Sequence, residues 1–203
     1  MPRRLALILL VSVVTVLALT ASTLYSSQPG AEAMREAANK QFQAGNFKEA
    51  YESFRPLLLD PKGSAEHVAA DLNTAVQCLN SLGRTPEFDA FIEEVIKARQ
   101  TQWQALVAAS QQYRQIDHYG QIVAGEFQRA DRRGGGRQVN AFDRDRTRAL
   151  QLLVQAMPLV KENANENEKG DFYLQMAQAF NYFQGGSWRL QSLTDLETLP
   201  DYD

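Results

Sequence analysis

The chain has 203 residues and sets 21 Lys and Arg against 24 Asp and Glu, a net charge of −3 at pH 7. Mild acidity argues against bulk nucleic-acid binding, which needs a basic surface to neutralise phosphate. A single cysteine, Cys78, excludes an internal disulfide, so the fold must rest on packing.

Arg3 and Arg4 precede an apolar run from Leu5 to Leu19 that is relieved only by Ser12 and Thr15. A basic stub before a greasy segment is the pattern of export. Residues 1–25 are therefore expected to be a signal peptide or, uncleaved, an N-terminal membrane anchor. Thr20-Ala21-Ser22 and Ala31-Glu32-Ala33 both offer small residues for cleavage. Residues 5–25 reach the ~20 needed to span a bilayer. The expected location is the cell envelope: periplasmic, secreted or anchored in the inner membrane. Without Arg3 and Arg4, 19 basic residues face 24 acidic ones, a net of −5.

From residue 31 onward apolar residues follow helical spacing. The spacing predicts a first helix over 31–44, with Met34, Ala38 and Phe42 on one stripe and Gly45-Asn46 as its stop. A second begins near Phe47 and turns Ala50, Phe54 and Leu57 inward; Pro56, which lacks a backbone donor, is expected to kink or shorten it. A third, over 65–82, carries Leu72, Ala75, Val76, Leu79 and Leu82, with Cys78 read as a small buried hydrophobe, and stops at Gly83. A fourth opens with Thr85-Pro86, a capping hydroxyl and a proline in the first turn, and shows Phe88, Phe91, Ile92, Val95 and Ile96. A fifth, over 101–115, presents Trp103, Leu106, Val107, Ser110 and Tyr113.

Residues 116–142 lose the stripe and read as a long Arg/Gly-rich loop, with room for one short strand at 121–127. Helical spacing returns over 143–160 through Ala149, Leu150, Leu153, Val154 and Met157. A polar connector, 163–169, leads to a last helix marked by Phe172, Met176, Phe180 and Phe183 and closed by Gly185-Gly186. The expected fold is all-α: a helix-pair array over 31–115, the loop, C-terminal helices over 143–186 and a tail over 187–203.

Phe47, Ala50 and Phe54 recur 41 positions later as Phe88, Phe91 and Val95. The stretch Gly45-Asn46-Phe47-Lys48-Glu49-Ala50, followed by Phe54, resembles a tetratricopeptide-type repeat: glycine at a tight turn, small alanine where helices cross, an aromatic one turn on. It departs from that pattern in its longer period, in the early Pro61 and in the missing tyrosine of the first helix.

Chemistry is sparse. Arg129, Arg132, Arg133 and Arg137 surround Gly134-Gly135-Gly136, and Arg144, Arg146 and Arg148 follow. Glycines admit an anion to backbone amides and arginine forks bind phosphate or carboxylate, so an anion-binding or acidic-partner loop is one reading. A solvated turn whose arginines pair with Asp131, Asp143 and Asp145 is the other, and the better supported. No phosphate-loop or dinucleotide spacing accompanies the glycines. His67 and His118 have no second ligand at metal spacing, and Glu93 and Glu94 point different ways along a helix, as a solvated face does. No catalytic, metal-binding or cofactor-binding residue is expected, and no cofactor.

Three segments together carry a more specific likeness. They are Tyr119-Gly120-Gln121-Ile122-Val123-Ala124-Gly125-Glu126-Phe127 leading to Arg132-Arg133-Gly134-Gly135-Gly136; Asp143-Arg144-Asp145-Arg146 with Arg148-Ala149-Leu150-Gln151-Leu152; and Ser187-Trp188-Arg189-Leu190-Gln191-Ser192-Leu193-Thr194-Asp195-Leu196 before Leu199-Pro200-Asp201-Tyr202. This resembles the N-terminal helical region of very large bacterial alpha-2-macroglobulin-like envelope proteins. The resemblance implies protease trapping by a larger assembly. In many members of that family a Cys-x-x-Gln thioester captures the attacker, whereas here Cys78 is followed by Leu79-Asn80-Ser81. The macroglobulin and thioester domains are absent from this sequence, so the tail is expected to begin a missing region.

The expected function is thus an exported, non-enzymatic, helical-repeat interaction or spacer module. The alternatives are an endopeptidase-trap component that works only with a larger missing chain, and an anion-binding protein. Expected partners are a protein or the missing C-terminal domains, the membrane through residues 5–25, and no nucleic acid. Arg132, Arg133, Arg137, Trp188 and Arg189 are the candidate contacts.

Overall fold

A computed structural model describes residues 30–129, 136–181 and 196–203. The leader, Arg132, Arg133, Trp188, Arg189 and the glycine pair at 185–186 lie outside the described residues. The described chain is mainly helical: α1 (Ala31–Gln43), α2 (Phe47–Leu59), α3 (Val68–Ser81), α4 (Phe88–Ala98), α5 (Trp103–Gln115), α6 (Phe142–Asn163) and α7 (Glu166–Asn181). Three strands, β1 (Tyr119–Val123), β2 (Glu126–Arg129) and β3 (Arg137–Asn140), stand between α5 and α6. Among the described residues no helix is long and apolar enough to cross a membrane.

The helices stack in couples. α1 packs on α2, α2 on α3 and on α4, α3 on α5, α5 on α6, and α6 on α7. Two identical turns set the first couples. The amide of Gly45 bonds the carbonyl of Phe42 and that of Asn46 bonds Gln41; likewise Gly83 bonds Asn80 and Arg84 bonds Leu79. Each is a Schellman stop, and each glycine has a positive φ, +80° and +65°, that a side chain would oppose. The expected stripes form most of the core: Phe54, Leu72, Leu79, Phe88, Ile92, Leu106, Leu150, Leu153 and Phe172 are buried, and so is Cys78, whereas Val154, expected on the α6 stripe, is exposed. Burial pushes the Cys78 thiol above its ordinary pKa, as an apolar pocket disfavours thiolate.

Several local expectations need correction. Pro56 does not shorten α2, which runs three residues further, to Leu59. Thr85 does not cap a helix; its hydroxyl meets Asn80 Oδ1 at 3.1 Å, and a 3-10 turn over Thr85–Glu87 leads into α4. The connector before α7 is only Ala164 and Asn165. Asn165 Oδ1 accepts the amides of Asn167 and Glu168, both at 3.0 Å, while the Glu168 carboxylate accepts the Asn165 amide at 2.8 Å. That reciprocal capping box starts the helix inside a stretch whose polarity reads as loop.

The largest difference lies within 116–142, whose described residues hold a three-stranded antiparallel sheet in the order β2-β1-β3. The strand expected at 121–127 is broken in its middle by a hairpin. Ala124 and Gly125 both have positive φ, 52° and 86°, the pair of left-handed residues that a two-residue turn needs to match the twist of its strands. Gly120 leaves space for a ring: a Cβ there would stand 2.5 Å from Phe127 Cε2.

Two buried arginines tie the first couples together. Arg35 of α1 donates through Nε to both oxygens of Asp71 on α3, at 3.1 and 2.9 Å. Burial outweighs those bonds and raises the Asp71 carboxyl above the ordinary aspartate value. Arg99, just past α4, reaches the carbonyls that end α2: Nε donates to Leu58 O at 2.6 Å and Nη2 donates to Leu57 O. Its Nη1 donates to Gly63 O at 3.1 Å. These are carbonyls that a helix end leaves without partners, and a cation suits them.

Arg99→Met should cost about 3 kcal/mol, because it orphans several buried carbonyls at once. Gly63→Ala, whose Cβ would lie 2.1 Å from Arg99 Nη2, should also destabilise. In the Arg99→Met background its cost should largely disappear, which urea unfolding of the two single variants and the double variant would measure.

Candidate functional site

Where the sheet lies across α4 and α6 there is a cleft of about 570 Å³. Arg129, the last residue of β2, forms its floor. It is 1 % exposed and is the bulkiest of the fully buried side chains among the described residues. A guanidinium there requires full pairing, since a lone buried charge costs several kcal/mol. Asp145 of α6 accepts Nη1 at 2.7 Å and Nη2 at 2.9 Å. Asp89 of α4 accepts Nη2 at 2.7 Å and Nε at 3.1 Å, and the carbonyl of Asp117 accepts Nη1 at 2.8 Å. The rings of Phe88 and Phe127 lie 5.3 and 5.1 Å from the guanidinium carbon. Burial alone would lower the arginine's basicity, but the two carboxylates more than compensate and hold it charged.

His118 completes this cluster, with Nδ1 2.7 Å from Asp145 Oδ2 and its ring edge-on to Phe142 at 4.9 Å. A second pair stands beside it. Arg148 of α6 grips Glu93 of α4 through Nε and Nη2, each at 2.7 Å, and Tyr113 of α5 donates its hydroxyl to Glu93 Oε1 at 2.9 Å. Hydrogen bonding to Glu93 raises Arg148 above the usual arginine value. Burial first, then the Glu93 charge, drives the Tyr113 phenol far up.

Residues 196–203 cross the mouth of the cleft. Tyr202 stacks on Phe127 with ring centres 4.5 Å apart and planes 19° apart. The Arg144 guanidinium lies 4.8 Å from the Tyr202 ring centre and donates through Nη1 to Pro200 O at 2.8 Å. Asn140 and Asp203 exchange backbone hydrogen bonds at 2.8 and 3.1 Å. Gln151 Nε2 holds Leu196 O at 2.7 Å.

This arrangement revises the reading of the arginine constellation. Asp145 does pair with an arginine of that group, but the pair is buried rather than solvated. Glu93 is not a free surface carboxylate either; it is tied to Arg148 and Tyr113, while its neighbour Glu94 pairs with Arg55. Arg137 is exposed at the start of β3 and is not among the residues lining the cleft. Among the described residues no group of three potential metal ligands comes together. The described end of the tail is covered: Leu196 packs on the core and Tyr202 on Phe127.

The Arg129 cluster escapes sequence reasoning because its members lie far apart. Asp89 is 40 residues before Arg129 and Asp145 is 16 after it, beyond the reach of helical or strand spacing. Compared with known proteins, the chain matches no family model, no curated protein and no solved structure.

Replacing Arg129 by Met should leave Asp145 buried without its cation and cost about 3–5 kcal/mol. Asp89→Asn should cost less, because Asp89's side chain is 39 % exposed and water can replace part of what it loses. Thermal or urea unfolding of the two variants checks the order.

Proposed function

We propose that the chain is an exported, non-enzymatic helical module of the cell envelope that binds partners or spaces them. One observation carries this reading: four arginines, three of them buried and Arg148 half-buried, each join different elements of the fold. Arg129 joins β2 to α4 and α6, Arg148 joins α6 to α4, Arg35 joins α1 to α3, and Arg99 joins the end of α4 to the end of α2. Charges held in mutual, multiply bonded pairs stiffen an array against bending, which suits a surface that recognises by shape. The setting we propose is the leading part of a larger alpha-2-macroglobulin-like envelope protein, with the basic residues Arg132, Arg133 and Arg137 and the pair Trp188 and Arg189 as contacts.

The combined replacement Arg132→Ala, Arg133→Ala and Arg137→Ala should reduce capture of envelope proteins by the tagged full chain severalfold without lowering its melting temperature. Unchanged capture would remove those arginines as contacts. Cell fractionation should place the tagged chain in the envelope. Reading the genomic DNA beyond the Asp203 codon should reveal a frame encoding β-rich domains.

A further inference from the structure

β3 is an outer strand of the sheet, and its free edge already holds a piece of chain. Asn140 and Asp203 exchange both backbone hydrogen bonds, the pattern of one hydrogen-bonded pair in an antiparallel ladder. In such a ladder alternate residues turn their amide groups to the same side, so Gln138 presents its N–H and C=O to that edge, opposite its β1 partner Gln121. Among the described residues no backbone group pairs with Gln138 there.

Within residues 200–203 the ring of Tyr202 makes the aromatic and cation contacts. Tyr202 lies flat on Phe127 and under Arg144, whose other contact is the backbone carbonyl of Pro200. The Phe127 ring can reach this position only because Gly120 has no side chain. Burial raises the Tyr202 phenol above its ordinary pKa, and the residue is half-buried in the clamp. By contrast Glu197, Thr198, Asp201 and Asp203 are exposed. Main-chain pairing to an open sheet edge, with one side chain taken into a pocket, is how proteins recognise extended peptides. None of these contacts depends on the peptide belonging to the same chain.

We propose that the β3 edge and the Phe127–Arg144 clamp form a recognition site for an extended segment of a partner protein. That segment carries an aromatic residue followed by an acidic one, and residues 199–203 occupy the site in cis until the partner displaces them. The chemistry of the partner is read from Tyr202 and Asp203: a flat ring to stack on Phe127 under a cation, and a following residue that pairs through its backbone while its carboxylate stays in water. The cleft beside the ring, lined by Glu93, Tyr113 and Arg148, has room for a neighbouring side chain of the incoming segment. This inference rests on the interaction-module reading and gives its partner a chemistry.

The probe is a fluorescein-labelled synthetic peptide with the sequence of residues 196–203, titrated by fluorescence anisotropy against the full chain. Tyr202→Ala in the full chain loosens the cis segment, so this variant should bind the probe about tenfold or more tightly than the unaltered chain does. Adding Phe127→Ala or Arg144→Ala to that variant should abolish binding, and a probe that itself carries Tyr202→Ala should bind about tenfold more weakly. Circular dichroism and melting of each variant identify any that fail to fold; Arg144→Lys, which keeps the charge, serves as the milder replacement and should retain part of the binding.

A folded Tyr202→Ala variant that ignores the probe would overturn the proposal, as would binding indifferent to loss of the ring. Sedimentation that shows the unaltered chain to be a dimer, dissociated by Tyr202→Ala, would also overturn it by placing the segment in a second copy. Failure of the probe with envelope capture intact removes this site alone, whereas loss of all capture removes the module reading itself.

Discussion

The burial of one guanidinium organises the C-terminal half of this protein. Arg129 sits at 1 % exposure on the last residue of a four-residue strand, and it is held there by carboxylates from two helices far apart in sequence. A sheet of three short strands has little apolar surface with which to hold itself on a helical array. The ionic clamp supplies the attachment, and the rings of Phe88 and Phe127 on the guanidinium exclude water that would otherwise weaken it. Everything at the cleft follows from that placement: the position of Phe127, the seat of Tyr202 and the distance between α4 and α6 that Arg148 and Glu93 span.

The same use of arginine recurs in the N-terminal half with different acceptors. Arg99 binds carbonyls rather than carboxylates and caps the end of α2, while Arg35 binds Asp71 across α1 and α3. Each planar guanidinium offers several donors in fixed directions, so one residue can bind groups from two elements at once; lysine, a point donor, does this poorly. The helical array therefore combines apolar stripes, which supply most of the stability, with a few polar fasteners, which set how neighbouring couples register.

Legibility in the sequence followed the range of the interaction. Helix stripes, the Gly45 and Gly83 stops and the burial of Cys78 depend on residues within a turn or two of one another, and these were readable from spacing. The capping box at Asn165 and Glu168 was equally local, yet the polarity of 163–169 masked it, because a run of Asn and Glu reads as a loop unless the reciprocal offset of three is sought. The sheet is hard to read from sequence for a related reason. Its strands are four or five residues long, Arg129 occupies an inward position where an apolar residue is expected, and Ala124 supplies a left-handed turn residue normally given by Asn or Gly. The site was the least legible part. Arg129 and Arg144 are visible as charges, but which of them is buried, and against what, is decided by residues 16 to 56 positions away.

The position of the sheet between α5 and α6 has a consequence for the order in which the chain acquires structure. These two helices pack closely on each other although the whole sheet intervenes between Gln115 and Phe142. Closing a loop of that length costs about 3 kcal/mol in chain entropy, and the clamp that repays it is incomplete until Asp145 has been synthesised. The couples from α1 to α4, built from near-neighbour contacts, have no such wait. A nascent chain emerging from its N-terminus can therefore assemble its first couples early, while the half that carries the cleft is completed only once α6 has left the ribosome.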